Sequence, residues 1–310
     1  MLIAAGSHPV KPPIKNLEGP GVFHLWTLKD AEKLKPYFCP GKRVLILGSG
    51  FVALQAAWAA CRRGLEVTVF ELMPRIMPKV LDEQGSVLLH RKIVEHGVDL
   101  RVGIITERIE RDQDGTIRVF AQGHPPVAVD FMVVATGVRP NVQFLLESSV
   151  EIEDGILVNN RMETNVEGIY AAGDVACGPS VFGEDHVVHA LWTTAVEHGK
   201  IAGANMAGRN KEYTGSLNMN VTEMFGVTIA SMGIFSGDNG FERYECTAPQ
   251  GYRYIKILLR DRIPVGGVIL GDAEDAVLLG CLRPLIRWKR VLHDVSDFAE
   301  KRSYLKELIT

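Results

Sequence analysis

Apolar residues in this chain come in short runs that break at glycine, separated by stretches in which apolar positions recur three and four residues apart. The runs predict buried strands and the spaced stretches predict amphipathic helices, so the alternation reads as α/β. Residues 2–6, Leu-Ile-Ala-Ala-Gly, read as one such strand entering a glycine turn. Residues 10–42 are rich in Pro and Gly and predict a connector with one short helix from Asp30 to Leu34. From Lys42 the pattern predicts a strand, a glycine turn, an Ala-rich helix stopped at Gly64, and a second strand. A second helix ends at Gly97, a strand follows over 98–102, and a meander turns at Asp114-Gly115. Buried strands return at 131–137 and 168–174, and a long helix is expected from Val187 to Ala207.

Past about Tyr213 the period changes from helical to alternating. Residues 227–235, 251–260 and 263–271 predict antiparallel strands, the last two joined by a tight turn at Asp261-Arg262. A helical tail follows, so the C-terminal part is expected to be a separate α+β domain.

Composition narrows the function classes. The 310 residues carry a net charge of −3 and are 46% hydrophobic. A near-neutral chain without basic runs excludes nucleic-acid binding held by phosphate contacts. The longest apolar runs fall short of the roughly 20 residues that span a bilayer, so no membrane span is expected. No secretory leader is read at Met1, and the five cysteines stand singly with no CxxC pair. A cytoplasmic, reduced protein is the expectation.

The sharpest chemistry lies in residues 44–71. Gly48 permits a tight turn out of the strand, Gly50 lets backbone approach a pyrophosphate, and Ala53 allows close packing of helix on strand. The helix that opens there offers free N–H groups to phosphate. Glu71 ends the second strand about twenty residues later, where a carboxylate accepts the ribose hydroxyls of NAD. Arg75 leaves NADP open, since a guanidinium can take the 2′-phosphate, but the acid favours NAD.

Residues 131–141, 168–176 and 189–208 then resemble the two-dinucleotide-binding flavoprotein oxidoreductases, most closely NADH-dependent rubredoxin reductases and the flavin module of nitrite reductases. The resemblance implies a Rossmann-type NAD domain (41–139) inserted in a partial FAD domain (1–40 and 140–212), followed by a C-terminal α+β domain (213–310). It implies that Gly173 and Asp174 meet the ribityl chain of FAD, and that the helix through Thr194, Ala195 and Val196 faces the flavin pyrimidine, with Trp192 beside it. It places Phe51 and Val52 near the nicotinamide and Gly137 on the NAD groove. Gln55 stands where the family usually has a glutamate that helps place the nicotinamide. Residues 2–9 resemble a segment that in the family follows an N-terminal FAD-binding half. The expectation is therefore a truncated chain or one subunit of a split enzyme.

Competing readings accompany several residues. Asp174 also suits a helix N-cap. His186, His189 and His198 fit no standard metal spacing, and no metal site is expected. Cys177 reads as a small buried residue. The basic run at residues 283–290 reads as a solvated face before an acidic-partner site. Two functional classes stay open. One is a flavin-dependent NADH oxidoreductase passing electrons to rubredoxin, another redox protein or a small acceptor, its FAD site completed by a second chain or by self-association. The other is a non-catalytic NAD-binding module that does not retain FAD. Catalytic residues are not assigned.

Overall fold

In the computed structural model, residues 1–292 are described apart from 238–239, so the last part of the expected C-terminal domain lies outside the described residues. The described helices are α1 (Leu28–Leu34), α2 (Phe51–Cys61), α3 (Glu83–Glu95), α4 (Trp192–Met206) and α5 (Ala273–Arg287), besides single 3-10 turns. Contacts divide the chain into two compact units, one of Met1–His8, Val138–Met219 and Arg283–Val291, the other built around Pro9–Gly137 and Asn220–Leu282.

The second unit is organised by a five-stranded parallel sheet in the order Val22–His24, Phe131–Val134, Arg43–Leu47, Glu66–Phe70, Asp99–Arg101. Val44, Leu45, Ile46, Phe131, Met132 and Val133 are fully buried, as expected of a central strand pair covered on both faces. Helix α2 packs on this sheet through Ala53, Ala57 and Ala60, small enough for close approach, with Leu54 buried beside them. Helix α1 is opened by a reciprocal capping box in which Thr27 and Asp30 bond each other's backbone N–H. Asp82 caps α3 by accepting the Gly85 N–H at 3.0 Å. The expected meander is a three-stranded sheet of Thr106–Arg111, Ile117–Ala121 and Val127–Val129.

The same unit holds a five-stranded antiparallel sheet in the order Met219–Met224, Val227–Gly233, Ile263–Gly271, Arg253–Arg260, Glu242–Ala248. Asp261 and Arg262 make its two-residue turn with φ of +51° and +61°, the mirror-image hairpin geometry the spacing predicts. Met224, Phe225, Val227, Ile229, Tyr254, Val268 and Leu270 of this sheet share one core with α2, α3 and the parallel sheet.

The first unit has its own core, including Ile3, Leu145, Ile156, Val175, Ala202 and Tyr213. Leu2–Ile3 pairs in parallel with Tyr170–Ala171, and Ile156–Leu157 pairs with Ala176–Ser180. Strands Val22–His24, Met219–Met224 and Glu242–Ala248 form where the sequence pattern predicts none, and one helix starts later than expected. The helix expected from Val187 begins only at Trp192, because Gly183–Val187 folds back as a strand on Ala176–Ser180. Among the described residues no helix is long and apolar enough to cross a membrane.

Candidate dinucleotide and flavin sites

The glycine turn follows the central strand, from which the chain builds outward through Glu66–Phe70 and Asp99–Arg101 on one side and later adds Phe131–Val134 on the other. That is the switch point at which open α/β sheets bind ligands. Its two glycines have different reasons. Gly48 has φ +105°, and a Cβ there would lie 2.5 Å from the Ala135 carbonyl oxygen. Gly48 is thus required by the fold itself. Gly50 has ordinary backbone angles and faces open space. It caps α2 without any side-chain bond, which leaves the first-turn N–H groups directed outward. Gly137, also at φ +105°, likewise borders open space. The cradle fits a pyrophosphate approached by backbone alone.

Glu71 is 8% exposed, and both of its oxygens are engaged. Ser49, between the two glycines, donates its hydroxyl to Oε2 at 2.5 Å, and the Met73 N–H donates to Oε1 at 2.8 Å. The Met77 N–H in turn donates to Ser49 Oγ at 3.2 Å. The carboxylate is therefore oriented before any ligand arrives. Sequence reasoning passed over Ser49, whose signal was its place inside the glycine turn.

Arg75 is engaged by acceptors near it in the chain. Its guanidinium donates to the Leu81 carbonyl, to Ser86 Oγ at 3.1 Å and to the Pro78 carbonyl at 3.1 Å. It braces its own loop. Phe51, Val52 and Gln55 line a cavity of about 940 Å³ along α2, together with Leu25, Phe38 and Val221. The Gln55 amide donates to Thr222 Oγ1.

In the other unit, Gly173 has φ +80° and stands against Ala195, where a Cβ would come 3.5 Å from the alanine methyl. Asp174 lies inside a 3-10 turn whose cap is Ala172, so it is no N-cap; it accepts the Ser7 hydroxyl at 2.7 Å. Helix α4 starts at Trp192 with no side-chain cap. Thr194 is buried, Ala195 half-buried and Val196 exposed, while Trp192 is 84% exposed. A helix start of this kind stabilises negative charge placed before it. Ser7 was not foreseen, since nothing in residues 2–9 marks a partner 167 residues away.

Sequence-pattern comparison now adds to the geometry. Residues 1–199 match the pyridine nucleotide-disulphide oxidoreductase family, and residues 219–282 match the rubredoxin NAD+ reductase C-terminal domain. The chain belongs to the pyridine nucleotide-disulphide oxidoreductase family. It is similar to an NADH oxidase of Methanocaldococcus jannaschii, 27% identical over 288 residues that make up 91% of this chain and 63% of that protein. It is also similar to the CoA-dependent NAD(P)H sulfur oxidoreductase of Pyrococcus furiosus, 31% identical over 79% of this chain and 56% of that protein. Among solved structures, the NAD-dependent persulfide reductase of A. fulgidus superposes with a TM-score of 0.84 at 26% identity, covering 94% of this chain and 57% of that one. The chain spans less than two thirds of the length of these relatives.

The remaining candidates settle into structural places. Burial, then the Glu153 and Asp154 charges, push the Cys177 thiol up to about 11, so it is no thiolate at neutral pH. All five cysteines are free. His198 is buried against the Tyr213 ring, at 4.9 Å between centroids. Arg283 and Arg287 of the basic run pair with Glu197 at 2.9 Å rather than facing solvent alone. No group of three or more metal-ligating side chains occurs among the described residues.

Proposed function

We propose that this chain carries the NADH site and the flavin-edge site of an FAD-dependent NAD(P)H oxidoreductase. The observation that carries the reading is the glycine turn at Gly48 and Gly50 with Glu71 held by Ser49 behind it. Gly50, Gly137 and the start of α2 would receive the pyrophosphate, and Glu71 the adenosine ribose. Phe51, Val52 and Gln55 would border the nicotinamide. Gly173, Asp174, Ser7 and the first turn of α4, with Thr194, Ala195 and Val196, would hold the ribityl and pyrimidine part of FAD. When bound, NADH supplies a hydride donor and FAD a two-electron acceptor. The chain's own work is to bind, orient and place the uncapped α4 dipole where charge accumulates. Arg75 is committed to its own loop, which supports NADH over NADPH.

The match of residues 219–282 supports a redox protein such as rubredoxin as electron acceptor. Five free cysteines and the lack of a spanning helix among the described residues are consistent with a cytoplasmic place.

A second reading has its own observation: only one G-x-G-x-x-A turn occurs in the 310 residues. The ADP half of FAD then needs a turn from outside them, in a longer chain or in a second, different chain. Without it the chain binds NADH and not FAD.

The test is the visible spectrum of the purified chain, followed by anaerobic addition of NADH. A flavin spectrum that bleaches supports the oxidoreductase reading. A colourless protein that quenches on binding NADH supports the second. A chain that binds neither refutes both.

A further inference from the structure

The loop from Leu72 to Asp82 is tied to the glycine turn at one end and to the C-terminal sheet at the other. Toward the turn, Met77 N–H bonds Ser49 Oγ, and Ser49 bonds Glu71. In its middle, Arg75 and Ser86 close on each other and on the Leu81, Pro78 and Ile76 carbonyls. At its end stands Asp82. One carboxylate oxygen accepts the Gly85 N–H, which is all that capping α3 requires. The other accepts the Tyr254 hydroxyl at 2.6 Å and the Lys256 ammonium at 3.0 Å.

Those two donors come from the strand Arg253–Arg260, 172 and 174 residues downstream. Tyr254 is fully buried, and only 7% of the Lys256 side chain is exposed. Burying an ammonium is costly, and apolar residues of similar size commonly serve packing as well or better. A cap alone explains neither donor. What the arrangement does provide is a fixed position for the loop that orients Glu71.

We propose that Lys256 and Tyr254 are positioning residues for dinucleotide binding: through Asp82 they hold the 72–82 loop against Ser49 and Glu71, so the C-terminal sheet sets affinity at the adenosine ribose. This rests on the NADH reading above. The effect is indirect, since neither residue touches the glycine turn. It couples a part of the chain matched to a different domain family with the acid of the nucleotide site.

The experiment is a fluorescence titration of the full chain with NADH, with the unfolding temperature of each variant recorded alongside. The set is wild type, Lys256→Met, Tyr254→Phe, Glu71→Gln and the double variants of the first two with Glu71→Gln. Lys256→Met is expected to weaken NADH binding about tenfold, Tyr254→Phe less, and each double variant to bind no worse than Glu71→Gln alone. A merely structural role lowers the unfolding temperature without that non-additivity. Wild-type affinity in both single variants, or losses that multiply with Glu71→Gln, overturns the proposal. If Lys256→Met does not fold, Tyr254→Phe removes a single hydroxyl and decides through the same cycle. A wild-type chain that fails to bind NADH removes the NADH reading, and this inference with it. Binding by wild type with both single variants unaffected removes this inference alone.

Discussion

Ser49 and Glu71 lie 22 positions apart and share a hydrogen bond of 2.5 Å, linking the middle of the glycine turn to the acid at the end of the next strand. The two halves of the nucleotide fingerprint are thus one bonded unit. Glu71→Ala is expected to weaken NADH binding roughly tenfold or more, since a buried hydrogen-bonded charge is worth about 1.5–3 kcal/mol. Ser49→Ala loses less, because Met73 still holds one carboxylate oxygen. NADH fluorescence titration measures both, and unchanged affinity in Glu71→Ala would take that residue out of the site.

The two glycines of the turn separate stability from binding. Gly48→Ala brings a methyl onto the Ala135 carbonyl at a φ that side chains resist. It is expected to cost about 1–3 kcal/mol of stability. Gly50→Ala meets nothing in the chain and keeps stability, yet obstructs the pyrophosphate. Thermal unfolding and NADH titration of both variants check this. A Gly50→Ala variant that binds like wild type would show that no ligand approaches there.

Among the bonds found for it, Arg75 donates to its own loop and to Ser86 in the first turns of α3. Arg75→Ala is therefore expected to lower the unfolding temperature without changing the ratio of NADH to NADPH affinity. A selective loss of NADPH binding would return Arg75 to the role the sequence left open.

His198 is 1% exposed, and both ring nitrogens lack hydrogen-bond partners. Burial pushes its pKa down to about 4 from an ordinary 6.5, with the neighbouring His189 acting in the same direction and Glu197 opposing. The unfolded chain thus binds the proton first. Stability contributed by neutral His198 is complete above about pH 6.5 and declines as pH falls toward 4, by up to about 3 kcal/mol. Denaturant unfolding at pH 7 and pH 5, wild type against His198→Phe, reads this out. Equal slopes with pH in both proteins would exclude the imidazole as the cause.

Cys177 is buried with a raised pKa, whereas Cys39 is exposed. Iodoacetamide at pH 7.5 is expected to label Cys39 and spare Cys177 until the protein unfolds. Peptide mass spectrometry gives the order of labelling, and early modification of Cys177 would reveal a reactive thiol beside Asp174.

The strands and helices around the glycine turn were legible because each carries a local signal. Gly64 and Gly97 end helices at φ +74° and +83°, and Asp261-Arg262 sits between two apolar runs. Glu71 was legible because its distance from the turn is set by one helix and one strand. The start of α4 was misplaced because His186 and Val187 suit either state, and only pairing with Ala176–Ser180 makes them a strand.

The sequence by itself therefore determined the α/β pattern, the glycine turn and its acid, since these depend on neighbours along the chain and on backbone angles that only certain residues adopt. Tertiary structure alone decided that Ser49 holds Glu71, that Ser7 meets Asp174, that Arg75 is spent on its own loop, and that Lys256 reaches Asp82. Each of these is a hydrogen bond whose partner is chosen by packing. Many residues can donate to a given carboxylate, and only burial and distance select the one that does.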